Sequence, residues 1–156
     1  MVLLDKKITK NGEKQKHFSS DRQTTVASSC IAFVGKTLKF EYWYGPKLCT
    51  RVFVDYAEQS VKVINFTDDI ILQAFGRRKI TIGTIDEFFR ERVFPETRVN
   101  CKELLRQMGF RNYDAESIAR KTHGILYNGL FWLRFGGEDL TWADIKALRK
   151  EAGFHV

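Results

Sequence analysis

The 156-residue chain has only three cysteines and two prolines, and it has no long apolar run. The odd cysteine count, with no C-x-x-C pair and no histidine at a ligand spacing, argues against both a disulfide framework and a structural zinc site. No window reaches the roughly 18 consecutive apolar residues that a membrane span needs, and Met1 to Leu4 is too short for a signal peptide. We therefore expect a cytoplasmic protein without a metal ion or a cofactor.

The common catalytic motifs are absent as well. There is no glycine-rich phosphate-binding loop, no nucleophile elbow and no H-E-x-x-H. Asp68 and Asp69 are adjacent carboxylates, but Thr67 before them can cap a helix, so they are interpreted as acids of a first helical turn. We expect a protein that is not an enzyme.

The three histidines, His17, His123 and His155, are far apart and typical of surface groups. One enzymatic alternative stays open, because general acid-base roles need no fixed spacing. A small metal-independent nuclease would use His123 with Tyr127, Lys121 and a nearby arginine.

The chain is rich in aromatic and positively charged side chains. The 13 Phe, 5 Tyr and 3 Trp can fill one core without covalent staples. Lys and Arg outnumber Asp and Glu by 26 to 19, which gives a formal charge of +7. This excess favours polyanionic partners, although it also serves solubility.

The polar composition of the N-terminus indicates a flexible basic arm over residues 1–23, because this stretch offers little apolar surface to bury. The arm is either solvated or becomes ordered against a phosphate backbone or an acidic protein face. Residues 24–156 are predicted to form a single α+β domain, rich in strands at 30–66 and in helices at 67–156.

Period-two alternation predicts an antiparallel meander in the first half of the domain. A turn at Gly45 and Pro46 and a short hairpin loop at 57–60 would connect its strands. The predicted strand segments are CIAFVG at 30–35, LKFEYWY at 38–44, TRVFVDY at 50–56 and VKVINF at 61–66. Three of these segments alternate, and the side chains expected on one side of their own strand are Leu38, Phe40, Tyr42 and Tyr44 in the first, Val52, Val54 and Tyr56 in the second, and Val61 and Val63 in the third.

Helical periodicity and capping residues predict five helices after residue 66. Their predicted N-caps are Thr67, Thr84 with Glu87 as its capping-box partner, Thr97, Asp114 and Thr141. The side chains predicted to face inward are Cys101, Leu104, Leu105 and Met108 in the third helix and Trp142, Ile145 and Leu148 in the last. A buried strand is expected at 130–135. The fold class is therefore α+β, with a small N-terminal antiparallel sheet and a helical C-terminal half that contains one added strand.

Basic residues recur through the helical half and form the candidate binding surface. The candidates are Arg77, Arg78, Lys79, Arg90, Arg92, Arg98, Arg106, Arg111, Arg120 and Lys121. If they share an exposed face, they would bind nucleic acid, a nucleoprotein complex or an acidic protein. The alternative is that interleaved glutamates neutralise them in surface salt bridges. Trp43 and Tyr44, near a predicted hairpin tip, either stack on a base or anchor a protein contact. The alternative for Trp43 is a plain core role.

The segment from Thr84 to Ile145 resembles a domain that lies upstream of the kinase region in bacterial proteins of HipA type. The matching pieces are ERVFPETR at 91–98, LLRQMGF at 104–110, RKTHGILYNGLFWLRF at 120–135 and LTWADI at 140–145. The positions shared with that pattern are Arg92, Pro95, Arg98, Leu104, Gly109, Lys121, Gly124, Trp132 and Trp142. VKVINFTDDIILQAFG, at 61–76, is similar to smaller stand-alone proteins of Firmicutes.

The sequence stops at Val156, directly after the helix begun by LTWADI, so we expect no kinase lobe. The resemblance then implies a recognition or adaptor module without phosphoryl transfer. Three functions follow as hypotheses. The first is a non-enzymatic bacterial or phage module that binds nucleic acid or a nucleoprotein complex, one version being an anti-CRISPR-like inhibitor of a host defence nuclease. The others are a protein adaptor of toxin-antitoxin type and the His123 nuclease.

Overall fold

The computed structural model describes residues 36–127 and 129–151. Its elements are β1 Thr37–Tyr44, β2 Lys47–Asp55, β3 Ser60–Asn65, α1 Ile82–Glu91, α2 Cys101–Gln107, α3 Ala115–Thr122, β4 Phe131–Phe135 and α4 Trp142–Glu151. The predicted α+β class is confirmed. The predicted strand at 30–35 and the predicted arm over 1–23 lie outside the described residues. Within the part that is described, no helix is long and apolar enough to cross a bilayer.

The four strands form one antiparallel sheet in the order β3-β2-β1-β4. The late strand β4 joins the sheet beside β1, where Phe40 lies opposite Phe135 and Tyr42 opposite Leu133. The alternation predicted for β1 is confirmed, because Leu38, Phe40 and Tyr42 are all buried on one face. The sheet therefore has a core face and a second face, and each strand contributes alternate residues to both.

Helices α1 and α3 cover the core face of the sheet. The Phe40 ring lies 5.8 Å from the ring of Phe88 and 5.1 Å from that of Phe89, centroid to centroid. The tilted and offset arrangement of these rings stabilises the packing beyond the area they bury. A second, smaller cluster consists of Cys101 and Leu105 from α2 and Ile118 from α3. Cys101 is thus a buried thiol, as predicted, and α2 is attached to the domain through this cluster.

The predicted helix over 67–75 is wrong, because this stretch forms turns. Side-chain oxygens accept hydrogen bonds from backbone amides that would otherwise donate within a helix. Asp69 Oδ1 accepts from the amide of Ile71 at 3.0 Å. The amide of Ala74 donates to Thr50 Oγ1, in the sheet, at 3.1 Å. Such bonds compete with helical ones, so the segment stays irregular. Asp69 caps a local turn rather than a helix.

Two further N-caps differ from the predicted ones. Helix α1 is capped by Thr81 and not by Thr84, which instead forms the other half of the capping box at the third helical position. Helix α2 follows Asn100 and not Thr97, because residues 98–101 form turns first. The caps predicted at Asp114 and Thr141 are confirmed by their hydrogen bonds to the first helical turns.

On α4, Ile145 faces inward as predicted, but Leu148 does not. Leu148 is exposed and the next residue, Arg149, is buried instead. The Arg149 guanidinium donates to the backbone carbonyls of Tyr127 and Gly129. An arginine can occupy an inner position in this way because its charged head finds backbone acceptors there.

Candidate nucleic-acid interface

Helix α2 and the turns on either side of it line an open groove of about 650 Å³. Arg98, Lys102 and Arg111 bring three positive charges to it, and Glu96 brings the one negative charge. The remaining lining residues are Val99, Cys101, Leu105, Asn112 and Tyr113. The groove therefore combines a cationic rim with an apolar floor.

A second cavity of about 360 Å³ continues along the same helix. It shares Lys102, Leu105 and Arg111 with the first cavity and adds Arg106 and Phe110. The two cavities together are named the α2 groove below. The sequence predicted three of its four basic residues, and the fold brings these three together.

The charges of the α2 groove are largely unneutralised. Arg98 Nε donates to the Asn100 side chain at 2.7 Å, a neutral partner. Lys102 and Arg111 form no ion pair with any residue in the described ranges, and neither does Arg98. Only Arg106 is paired, with Glu103 one turn earlier. Three cations are therefore available to an external anion.

Other predicted binding residues are neutralised by neighbouring carboxylates. Arg78 pairs with Glu91 at 3.0 Å, Arg90 with Asp86 at 2.8 Å and Arg120 with Glu116 at 3.0 Å. For these three, as for Arg106, the alternative of surface salt bridges is what the structure shows. Exposed pairs of this kind contribute little to stability, and they also reduce the charge offered to a partner.

Lys121, Arg77 and Lys79 complete the predicted basic set. The Lys121 ammonium donates to the Met108 carbonyl at 2.6 Å and lies 5.7 Å from the centre of the Phe110 ring, so it adds a cation at one end of the α2 groove. Arg77 and Lys79 are exposed, but they do not line that groove.

The expectation that Arg92 lies on an exposed binding surface is wrong. Its side chain is buried, with a residue exposure of 8%. The guanidinium lies over the rings of Tyr42 and Phe131, and its Nη1 is 3.4 Å from the Tyr42 hydroxyl. Burial lowers the pKa of Arg92. The burial of Arg92 depends on tertiary packing. The alternating charges around it in the sequence do not indicate that burial.

Trp43 and Tyr44 are half-buried residues of β1. The Trp43 ring stacks on the Trp132 ring, with 5.4 Å between their centres. The Arg134 guanidinium lies 4.6 Å from the centre of the Trp43 ring, and the indole Nε1 donates to the Glu41 carboxylate. Tyr44 packs against Phe131. Both aromatic rings already have partners within the domain, which for Trp43 agrees with the core alternative.

His123 is the C-cap of α3, in the left-handed conformation with a φ of 51°. Its Nδ1 lies 3.7 Å from the nearer oxygen of Glu138 and has no hydrogen bond to any residue that the structure describes. The Lys121 ammonium is bonded to the Met108 carbonyl, and no hydrogen bond joins it to His123 within the described residues. These are two of the groups that the nuclease hypothesis combines with Tyr127 and a nearby arginine. No group of three or more potential metal ligands occurs among residues 36–127 and 129–151.

Lys102 is the residue of the α2 groove that sequence reasoning missed. It stands four residues before Arg106, a spacing that places side chains on one side of a helix. This spacing was the available signal, whereas Arg98 reaches the groove from the turn that precedes α2.

No protein-family model, curated protein or solved structure matches this chain. The case for a function therefore comes from the residues of the groove.

Proposed function

We propose that this chain is a non-enzymatic binding module that contacts nucleic acid or a nucleoprotein complex through the α2 groove. One observation supports this above the others. Arg98, Lys102 and Arg111 line a single groove and have no ionic partner in the described ranges, whereas Arg78, Arg90 and Arg120 are each paired with a carboxylate.

A row of unpaired cations matches the phosphate backbone better than any neutral ligand. Bringing the three side chains together costs electrostatic repulsion, which an anion in the groove relieves. The planar fork of arginine suits two-pronged contacts to phosphate, and Lys102 adds a compact point charge. Neutralising phosphates also releases their condensed counterions, which drives binding at low salt.

The resemblance to the domain upstream of HipA-type kinases suggests a bacterial or phage setting. In that setting the nucleoprotein partner we propose is a host defence nuclease in complex with its nucleic acid, which the chain would inhibit as anti-CRISPR proteins do.

A protein adaptor of toxin-antitoxin type is the second candidate. The observation that favours it is Val99, a fully exposed apolar side chain at the rim of the α2 groove. An exposed apolar residue beside unpaired arginines is typical of protein contacts as well. An adaptor would form a stoichiometric complex with an acidic protein that survives nuclease treatment.

The test is a comparison of two triple variants that carry the same charge. R98Q/K102Q/R111Q neutralises the groove, and R78Q/R90Q/R120Q neutralises three paired arginines outside it. Both lower the formal net charge of +7 by three, to +4. Binding to a short labelled DNA duplex is measured by fluorescence anisotropy at low salt. We expect an affinity loss of about a hundredfold for the groove variant, because hydrogen bonds to charged groups are strong.

The control variant should lose less than about fivefold, since it removes cations that already have partners. Equal losses in the two variants would mean that net charge alone drives binding. The proposal would then fail, as it would if the native chain bound no duplex at all.

A further inference from the structure

The second face of the sheet, opposite the helices α1 and α3, carries its own arrangement of cations and aromatic rings. The strand register places Lys39 of β1 opposite Phe53 of β2, and Phe53 opposite Lys62 of β3. The three side chains thus form one row across the sheet, with an aromatic ring between two lysines. Both lysines are exposed and Phe53 is half-buried.

The row borders a concavity of about 360 Å³. Lys39, Phe53 and Lys62 line it together with Thr37, Leu38, Val54, Asp55 and Ser60. The Lys39 ammonium lies 5.7 Å from the centre of the Phe53 ring. Asp55 is the one acid in the lining, and its Oδ1 accepts from the backbone amides of Ala57 and Glu58 at 2.9 and 3.0 Å. That carboxylate is therefore engaged in the turn after β2.

The neighbouring row on this face is also positive. Glu41 lies opposite Arg51 on one side and Arg134 on the other. Two guanidinium groups around one carboxylate leave one net positive charge. The face thus presents positive charge in both rows, with aromatic surface between the lysines of the first.

We propose that this face binds single-stranded nucleic acid, with a base stacked on Phe53 and backbone phosphates on Lys39 and Lys62. Bases in a single strand expose their flat faces, whereas those of a duplex are stacked on each other, so an aromatic ring on a sheet selects single strands. A base that stacks on Phe53 displaces the Lys39 ammonium from the ring. The ammonium then lies within reach of the adjoining phosphate.

The second face of the sheet is a surface separate from the α2 groove, and the test distinguishes binding at one from binding at the other. Four proteins are compared on a labelled oligothymidine and on a labelled duplex: the native chain, F53L, F53W and K39Q/K62Q. Leucine keeps much of the apolar volume of Phe53 without the ring, and tryptophan keeps a ring. Thermal unfolding of each variant checks that the fold is intact.

For the single strand, we expect F53L to bind about tenfold more weakly and F53W to bind at least as tightly as the native chain, since stacking on an aromatic ring is substantial for each base. K39Q/K62Q should lower the salt slope on the single strand by about 1.4, at roughly 0.7 for each phosphate contact. Duplex binding should be the same in all four proteins.

Native-like binding of the single strand by both F53L and K39Q/K62Q would overturn the inference. If the groove variant R98Q/K102Q/R111Q at the same time lost duplex binding, the function proposed for the groove would still stand. If duplex binding were absent while oligothymidine binding depended on Phe53, the groove proposal would fail and the sheet-face inference would stand.

Discussion

Arg134 holds one oxygen of the Glu41 carboxylate with two nitrogens, its Nε at 2.8 Å and its Nη2 at 2.7 Å from Oε2. Arg51 holds the other oxygen in the same way, with both nitrogens 2.8 Å from Oε1. Glu41 is only 6% exposed, so these arginines take the place of water around its charge. The cluster links the central strand β1 to both of its neighbours, β2 and β4.

Stability should depend on the ionisation of Glu41. Burial raises its pKa, but the hydrogen bonds from Arg134 and Arg51 outweigh this and leave the pKa below its ordinary value of 4.5. The folded state therefore binds fewer protons than the unfolded state. The stabilisation is complete above the unfolded pKa and is lost as the pH falls through the lower, folded pKa.

We predict that E41Q is less stable than the native chain by on the order of 3 kcal/mol at about pH 7, because both arginines lose their counter-charge. The gap should narrow as the pH falls below about 4. Urea unfolding of both proteins between about pH 2 and about pH 7 measures this difference in the free energy of unfolding. A gap that stays constant down to about pH 2 would show that the carboxylate charge is not what stabilises the cluster.

Arg92 should be replaceable by an apolar residue without loss of stability. Among residues 36–127 and 129–151, its Nε and Nη2 have no hydrogen-bond partner and no carboxylate forms an ion pair with it. Replacing such a buried charge by an apolar side chain of similar length is often neutral or stabilising, by up to about 2 kcal/mol. We expect R92M to unfold at the same or a higher urea concentration. A loss above about 1 kcal/mol would contradict this, and would mean that contacts to the Tyr42 and Phe131 rings outweigh the desolvation cost.

Arg149 provides the matched contrast, because it is also buried but both of its terminal nitrogens donate to backbone carbonyls, and among its guanidinium nitrogens only Nε lacks a partner in the described ranges. Its Nη2 donates to the Tyr127 carbonyl at 3.1 Å and its Nη1 donates to the Gly129 carbonyl. R149M removes these donors, so we expect a loss of about 2 to 4 kcal/mol. Equal effects of R92M and R149M would refute the distinction between the two arginines.

Gly124 lies where a side chain cannot fit. Its φ is +57°, and a Cβ there would come within 2.8 Å of Leu133 Cδ1 in the core. G124A should cost about 2 to 4 kcal/mol, from backbone strain and overpacking together. Gly109 is the control: its φ is +80°, but apart from its chain neighbours no atom of the described residues lies within 4 Å of the Cβ position. G109A should cost only about 1 to 2 kcal/mol, from strain alone. Thermal unfolding that gave equal shifts for the two variants would argue against the clash with Leu133.

The strands were predictable from sequence because burial on one face imposes a simple alternation, as in Leu38, Phe40 and Tyr42. The first residues of the helices were less predictable than the strands. Thr81 and Thr84 are three residues apart and either can cap, so only the reciprocal hydrogen bonds show which one does. The turn segment at 67–75 depends on Thr50, whose hydroxyl takes the Ala74 amide across 24 positions of sequence. No local pattern indicates that bond.

The candidate site was also only partly predictable from the sequence. Arg98, Arg106 and Arg111 were expected to share a surface, and the fold places them along one groove. Arg92, in the same stretch of sequence, points into the core because α1 ends there against Tyr42. The opposite face of the sheet follows from the same alternation, because Arg51, Phe53 and Asp55 fall between the core residues of β2. Which charges remain unpaired depends on side-chain geometry that a sequence does not contain.

Phosphate contacts in the α2 groove should appear in the salt dependence of duplex binding. Plots of log affinity against log salt concentration are compared for the native chain, R98Q/K102Q/R111Q and R78Q/R90Q/R120Q. Three lost phosphate contacts at roughly 0.9 each should make the slope of the groove variant shallower by about 2.7, while the control variant keeps the native slope. A native slope in the groove variant would mean that Arg98, Lys102 and Arg111 do not contact phosphates.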